Sequence, residues 1–124
     1  MSLADYFDNA TGHGVLATAG KDGKVDAAMY ARPFFMEENT ALFIMAEKLT
    51  HSNLKENPWA TYIFIESCPG YSGKRLYLKK IKEEQDDDLI SVICRKCDYS
   101  HYEVHKRHVV YFNVEKVLPL VGSK

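Results

Sequence analysis

The chain has 124 residues and a formal net charge of −1, with 16 lysines and arginines against 17 aspartates and glutamates. This length predicts one domain, residues 1–124, built around one core. The near-neutral charge gives no electrostatic reason to expect nucleic acid or an anionic membrane as a partner. No apolar run reaches the roughly 20 residues of a membrane-spanning helix, so no membrane partner is expected.

Two further features predict a reduced, cytoplasmic setting. The chain has three cysteines, so any disulfide would leave one of them unpaired. The first twelve residues lack the basic-then-apolar order of a secretion signal.

The first half of the chain predicts one short helix followed by three strands. Ser2 can cap the helix, which a glycine at position 12 or 14 would end. GVLATAG is the first strand, and the Asp-Gly turn of KDGK joins it to a long second strand, VDAAMYARPFFM. Pro33 in that strand indicates an edge, a bulge or a ligand-facing stretch. TALFIMA is apolar on both faces and is therefore expected to be buried on both.

The second half begins with a helix at THSNLKENP, in which Thr50 or Ser52 can cap the start and Pro58 prevents continuation. The remaining predicted elements are strands at residues 59–66 and 74–84, a helix at residues 88–97 and a last strand at residues 108–120. About six strands and three short helices make a mainly β protein. Tight turns between consecutive strands favour an antiparallel sheet that closes into a barrel.

The stretch CRKCDYSHYEVHKRH, residues 94–108, is rich in metal-ligand residue types. Cys94 and Cys97 share a predicted helix face with two isoleucines, which favours ordinary packing. With His101 and His105 they give the spacing C-x2-C-x3-H-x3-H, which is more compressed than structural zinc sites. No metal is therefore assigned here, although a Cys/His metal-binding or redox-sensing module stays as an alternative.

Three stretches carry a resemblance to a known family: GVLATAGKDGKVDAAMYARP, ARPFFM and ALFIMAEKLTHSNLKENPWATYIFIE. Their order and spacing resemble the pyridoxamine 5′-phosphate oxidase-like, FMN-binding split-barrel family. The resemblance implies a six-stranded antiparallel split barrel that forms a homodimer. It also implies one FMN per subunit, in a cleft at the interface.

Position by position, the resemblance implies three groups of cofactor-binding residues. They are Tyr30, Ala31, Arg32, Pro33 and Phe34 along the flavin, Met45, Ala46, Glu47 and Lys48 at the end of the third strand, and Thr50, His51, Ser52 and Asn53 at the helix start.

The chemistry of these residues agrees with that assignment. A phosphate favours cations, hydroxyls and the free N–H groups of a helix N-terminus, and Lys48, Thr50 and Ser52 cluster at one. Arg32 could reach the same phosphate from the neighbouring strand. Small residues at positions 27, 28 and 31 leave room for a flat ring, which Phe34 or Trp59 could flank.

Two departures from the family limit the expected reaction. Thr50 stands where family members usually carry a basic residue. The sequence also lacks the Arg- and Trp-containing tail that shapes the substrate pocket of pyridoxal-phosphate-making members. Oxidation of pyridoxamine phosphate itself is therefore not expected.

The leading hypothesis is a flavin-dependent oxidoreductase acting on an unknown small molecule. The alternatives are a non-enzymatic FMN electron carrier with a redox partner, a flavin store, or a relative's cofactor such as haem or a deazaflavin in the same cleft. No catalytic residue is assigned. Tyr30 and His51 are candidates for a proton donor, although His51 is expected to be a solvent-exposed helix residue.

Overall fold

The computed structural model describes residues 2–97 and 107–122, without the side chains of residues 94–97. In chain order the elements are α1 (Leu3–Asn9), β1 (Gly12–Ala19), β2 (Val25–Met29), β3 (Phe34–Glu37), β4 (Thr40–Ala46), α2 (Leu49–Glu56), β5 (Trp59–Glu66), β6 (Gly73–Glu84), α3 (Asp87–Cys97) and β7 (Arg107–Pro119). No helix in these ranges is long and apolar enough to cross a membrane.

The strands form one antiparallel sheet in the order β2-β1-β5-β6-β7-β4-β3. Its two edge strands, β2 and β3, are consecutive in the chain and are joined by residues 30–33. A flat sheet of seven strands would hold its edges roughly 29 Å apart, whereas this link spans at most roughly 18 Å. The sheet must therefore curl until its edges approach each other, which produces a split barrel.

The predicted long second strand is two strands, so the sheet has seven strands rather than six. β2 pairs with β1, while β3 pairs with β4 at the opposite edge of the sheet. The break falls at residues 30–33 because Pro33 has no N–H for a ladder and restricts the residue before it. This interruption carries the chain across the opening between the two edges.

The inside of the curled sheet is an aromatic core. Phe43 of β4 packs against Tyr62 of β5 and Phe112 of β7, with ring centroids 5.1 and 5.6 Å apart. Phe7 of α1 closes one end and lies 5.2 Å from the ring of Phe64. Residues from strands throughout the sheet order share this cluster, as expected for a barrel interior.

A second, smaller core lies outside the sheet, beneath α3. Ile90 and Ile93 of the helix cover Leu42 and Ile44 of β4. This cover confirms the prediction that the TALFIMA strand is buried on both faces, since residues 41–45 are all buried. Asp86 begins the helix by accepting a 3.0 Å hydrogen bond from the backbone N–H of Leu89.

The structure confirms two predictions made from local sequence signals and contradicts a third. The cap at Ser2 is confirmed, because its side chain accepts a hydrogen bond from the N–H of Asp5. The Asp-Gly turn is also confirmed, with Gly23 at φ 83°. The predicted caps of the second helix are wrong, since α2 begins at Leu49 and both Thr50 and Ser52 lie inside its first turn.

Candidate functional site

A cleft of about 400 Å³ opens between β2, the end of β4 and the start of α2. Five side chains with polar groups line it: Asp26, Tyr30, Lys48, Thr50 and Arg107. Two of them are cationic and one is anionic, so the polar lining has an excess of positive charge beside the helix. We refer to this space as the β2–α2 cleft.

The rest of its lining is apolar. Ala28, Ala31 and Ala46 contribute methyl groups, and Ile44 lines it as well. Short side chains along one wall leave space for a flat group to lie against the backbone of residues 28–31. The longer apolar residues Met29 and Leu49 are exposed.

The start of α2 gives the cleft its polar end. Lys48 occupies the N-cap position, and no side chain among the described residues caps the helix there. The first bond of the helix runs from the N–H of Ser52 to the carbonyl oxygen of Lys48. The N–H groups of Leu49, Thr50 and His51 therefore have no partners within the helix, and the helix dipole places partial positive charge at this end. Thr50 is buried there and lines the cleft with its neighbour Lys48.

Arg107 is a cleft residue that sequence reasoning missed. It begins β7, and the β4–β7 ladder places it opposite Ala46. Because β4 ends shortly before α2 begins, this pairing brings Arg107 to the helix start, although it follows Leu49 by 58 positions in the chain. The available signal was that Arg107 directly precedes the predicted last strand. The sequence could not show that this strand pairs with β4.

Arg32 does not reach the helix start. Its Nη1 donates to the carbonyl oxygens of Phe7, at 2.8 Å, and Ala10. The guanidinium therefore closes the C-terminal end of α1 and borders a second hollow of about 420 Å³. That hollow shares Met29, Tyr30 and Ala31 with the β2–α2 cleft, so the segment at residues 29–31 separates two open spaces.

The predicted site residues divide into those on the cleft and those elsewhere. Tyr30, Ala31, Ala46, Lys48 and Thr50 line the β2–α2 cleft.

Several predicted residues have other surroundings. Pro33 and Met45 are buried, and Phe34 packs against the cluster beneath α3. Asn53 is buried and donates to Oγ1 of Thr18 at 3.1 Å, while Ser52 is exposed.

Trp59 also lies apart from the cleft. It borders a separate hollow with Val25 and Tyr77, and the Lys79 ammonium stands 5.4 Å from its ring centroid.

The expectation that His51 is solvent-exposed is wrong. Its side chain is buried, and its Nε2 lies 2.7 Å from Oε2 of Glu83. The ring stacks on that of His108, with centroids 4.4 Å apart and planes at 20°. The sequence could not reveal this burial because both partners come from strands that follow the helix.

Glu83 is the centre of this group. Its Oε2 also lies 3.3 Å from Nδ1 of His108, and its Oε1 accepts from Nζ of Lys80 at 2.6 Å. Burial by itself would raise the pKa of the Glu83 carboxyl. The hydrogen bonds and charges of Lys80 and His51 outweigh that effect and lower the pKa to about 2, so the carboxylate is ionised.

Glu47 binds the outer side of the same group, where its Oε2 lies 2.7 Å from Nε2 of His108. The hydrogen bond from His108 lowers the pKa of Glu47. His108 lies in β7, at the end of the Cys- and His-rich stretch. The side chains of Cys94 and Cys97, together with His101 and His105, lie outside the described residues.

No protein-family profile matches the chain, and no curated protein matches it in sequence. Solved structures do match in fold. An FMN-binding protein from Syntrophomonas wolfei subsp. wolfei superimposes with a TM-score of 0.82 at 16% identity, over 99% of this chain and 86% of that one. HupZ of Group A Streptococcus gives 0.74 at 14% identity, over 95% and 90% of the two chains.

A provisionally assigned pyridoxamine 5′-phosphate oxidase from Lactobacillus delbrueckii gives a TM-score of 0.70 at 17% identity, over 94% of this chain and 93% of that one. These likenesses cover nearly the full length of each chain. The fold is that of the pyridoxamine 5′-phosphate oxidase-like split barrels, as the sequence resemblance predicts.

Proposed function

We propose that the protein binds FMN in the β2–α2 cleft and acts as a flavin-dependent oxidoreductase on a small molecule other than pyridoxamine phosphate. The observation that carries the proposal is the meeting of Lys48, Thr50 and Arg107 at an uncapped helix N-terminus beside an alanine-lined wall. Their donor chemistry fits the phosphate of FMN, and the apolar wall fits a flat ring.

In this proposal the phosphate occupies the end of the cleft near α2. Lys48 and Arg107 supply positive charge, Thr50 supplies a hydroxyl, and the first turn of the helix supplies N–H groups. The Asp26 carboxylate also lines the cleft and disfavours an anion next to it. The ring would lie along residues 28–31.

Bound FMN would supply hydride and electron transfer, and the chain would bind it, orient it and limit its exposure to water. The backbone of residues 28–31 would position the ring edge. Tyr30 is held there by a 3.1 Å hydrogen bond from the Tyr62 hydroxyl to its carbonyl oxygen. His51 is buried against Glu83 and is no longer a candidate proton donor in this proposal.

A homodimer completes the proposed site. The cleft is open, and the exposed apolar side chains of Met29 and Leu49 stand on it at 65% and 57% exposure. β2 is also an edge strand, with Val25 exposed to 82%. A second copy packed on this edge would cover both the apolar residues and the ring.

The proposal is tested by titrating the purified protein with FMN and riboflavin and following flavin fluorescence. FMN is expected to bind in the micromolar range or tighter, and riboflavin at least tenfold more weakly because it lacks the phosphate. Lys48→Ala should weaken FMN binding about tenfold while leaving riboflavin binding unchanged. Lys116→Ala, which removes an exposed lysine on β7, is the matched control.

Parallel titrations with FAD and with a deazaflavin determine which cofactor the cleft prefers. Both are included because the solved structures that match this fold also contain an F420 reductase and an FAD-binding protein from Mesorhizobium loti. Turnover of a reduced nicotinamide by the flavin-loaded protein would support the enzyme. Electron exchange with a redox partner in the absence of turnover would favour an electron carrier. Failure of all these cofactors to bind would overturn the proposal.

A further inference from the structure

We propose that His51, Glu83 and His108 form a site for one divalent transition-metal ion of the zinc type. The three side chains come from α2, β6 and β7, and each offers a ligand atom within 4.8 Å of the others. Two imidazoles and one carboxylate are a ligand set that zinc uses in sites with three protein ligands and one open position. The site is separate from the β2–α2 cleft and does not depend on flavin binding.

Two of the three distances between the ligand atoms are close to those that a tetrahedral ion requires, and the third is within 4.8 Å. With metal–ligand bonds of roughly 2.05 Å, adjacent ligand atoms lie about 3.3 Å apart. The distance from Nδ1 of His108 to Oε2 of Glu83 is 3.3 Å, and that from Nε2 of His51 to the same oxygen is 2.7 Å. The second pair would open by about 0.6 Å to admit the ion.

The hydrogen bond between His108 and Glu47 favours a cation between His108 and Glu83. Glu47 is an acceptor 2.7 Å from Nε2 of His108, so it places the ring proton of a neutral His108 on that nitrogen. The lone pair of Nδ1 then faces the ionised oxygen of Glu83, which is an unfavourable pair of acceptors. A second proton or a metal ion between them removes the conflict.

The two imidazole rings stack with centroids 4.4 Å apart and planes at 20°, so one ion between α2 and β7 could reach both. A metal ion binds both as neutral imidazoles. Nitrogen lone pairs lie in the ring plane, so the rings must turn out of their near-parallel arrangement when the ion enters.

The surroundings supply the outer contacts that metal sites use. A metal-binding histidine commonly donates its second ring N–H to a carboxylate, and Glu47 stands in that position toward His108. Lys80 holds the other oxygen of Glu83 at 2.6 Å, which orients this carboxylate toward the rings. The ion would thereby link α2 to β6 and β7.

The test is calorimetric titration of the chelator-treated protein with Zn²⁺, together with Co²⁺ absorption spectroscopy. One Zn²⁺ per chain is expected, and saturation should raise the melting temperature by roughly 5–10 °C. The Co²⁺ spectrum should lack the intense near-ultraviolet band of a thiolate ligand.

Glu83→Gln keeps the shape of the side chain and should weaken Zn²⁺ binding at least tenfold. Glu47→Gln changes an exposed residue in contact with His108 and should weaken it by roughly 10–100-fold. His13→Gln, which removes an exposed histidine from β1, is the matched control and should bind as the parent does. Circular dichroism confirms that each variant is folded.

The other ligand-type residues of the Cys- and His-rich stretch, Cys94, Cys97, His101 and His105, are the competing location. The variant Cys94→Ser/Cys97→Ser/His101→Gln/His105→Gln leaves the proposed ligands intact and should retain the Zn²⁺ affinity of the parent. Loss of binding in this variant would overturn the proposal. So would an unchanged affinity in Glu83→Gln, or a parent protein that takes up no metal.

Discussion

The hydroxyl of Tyr62 donates a hydrogen bond of 3.1 Å to the backbone carbonyl of Tyr30. Tyr62 belongs to β5 in the middle of the sheet, whereas Tyr30 lies in the link between the two edge strands. The bond therefore crosses the inside of the barrel and fixes the segment that separates the β2–α2 cleft from its neighbouring hollow.

Removing this hydroxyl should loosen that segment. In Tyr62→Phe we expect a loss of about 1–2 kcal/mol in the free energy of unfolding, since a core hydrogen bond is lost and the Tyr30 carbonyl loses a donor. Urea denaturation measures the change. Tyr77→Phe removes a hydroxyl from an exposed tyrosine on β6 and should change stability by less than about 0.5 kcal/mol. Equal losses in the two variants would contradict this role.

A methyl group at position 14 should disrupt the same region. A Cβ built on Gly14 would lie 1.8 Å from the Tyr62 hydroxyl and 2.3 Å from Cζ of that ring. Because Tyr62 is fully buried, its ring cannot move away freely. Gly14→Ala should therefore lose at least about 2 kcal/mol in the free energy of unfolding.

The matched control is Gly20→Ala. Its Cβ would lie 3.1 Å from Oδ1 of Asp22, which is the end of an exposed side chain that can turn away. Thermal melts of the two variants should differ clearly, with the larger shift for Gly14→Ala. A tolerated Gly14→Ala would mean that the ring of Tyr62 has an alternative position.

In the proposed dimer, a charge placed on an exposed apolar residue of the cleft should prevent the two copies from associating. In Met29→Glu, a carboxylate replaces a side chain that is 65% exposed in the single chain and buried in the proposed dimer. The variant should be monomeric by light scattering and should bind FMN at least tenfold more weakly, because the second copy no longer covers the ring. Tyr71→Glu introduces the same charge at a loop residue that is 84% exposed and should leave the assembly unchanged.

Tyr111 should make stability depend on pH in the alkaline range. Burial, followed by the hydrogen bond to Glu84 at 2.5 Å, raises its pKa from 10.0 to about 12. A pKa that is higher in the folded state gives a stabilisation that is fully present below pH 10 and is lost as the pH rises to about 12. Unfolding measured between pH 9 and pH 12 should show this loss.

Tyr111→Phe removes the titrating group. The loss of stability between pH 10 and pH 12 should therefore be smaller in this variant than in the parent. The difference between the ultraviolet titrations of the parent and the variant gives the pKa of Tyr111 directly. A tyrosine that titrates near its ordinary value of 10 would contradict the prediction.

Local sequence patterns predicted the structure correctly where it depends on residues that are close together in the chain. The hairpin at Gly23 needed only an Asp-Gly pair between two strands, and the cap at Ser2 needed only a bond to a residue three positions away. The double-sided burial of β4 followed from an uninterrupted apolar run. Pro33 indicated an edge, a bulge or a ligand-facing stretch within one long strand. Neither the break nor the assignment of its two sides to opposite sheet edges was predicted.

The site residues were harder to assign because their partners are distant in the chain. The resemblance, together with the chemistry of a helix start, made Lys48 and Thr50 candidate residues, and both line the cleft. Arg107 required the register between β4 and β7, which places it opposite Ala46. Arg32 was expected to bind the phosphate as well. Its guanidinium instead donates to two carbonyl oxygens at the end of α1, a contact that no sequence pattern predicts.

The sequence by itself determined a mainly β chain, most element positions and the helix start that carries the cationic end of the cleft. These properties follow from side-chain periodicity, turn residues and caps, which act over a few positions. Only the tertiary structure decided that His51 is buried, that it meets Glu83 and His108, and that Arg107 joins the cleft. The physical reason is that strand pairing and barrel closure bring together residues that no local interaction connects.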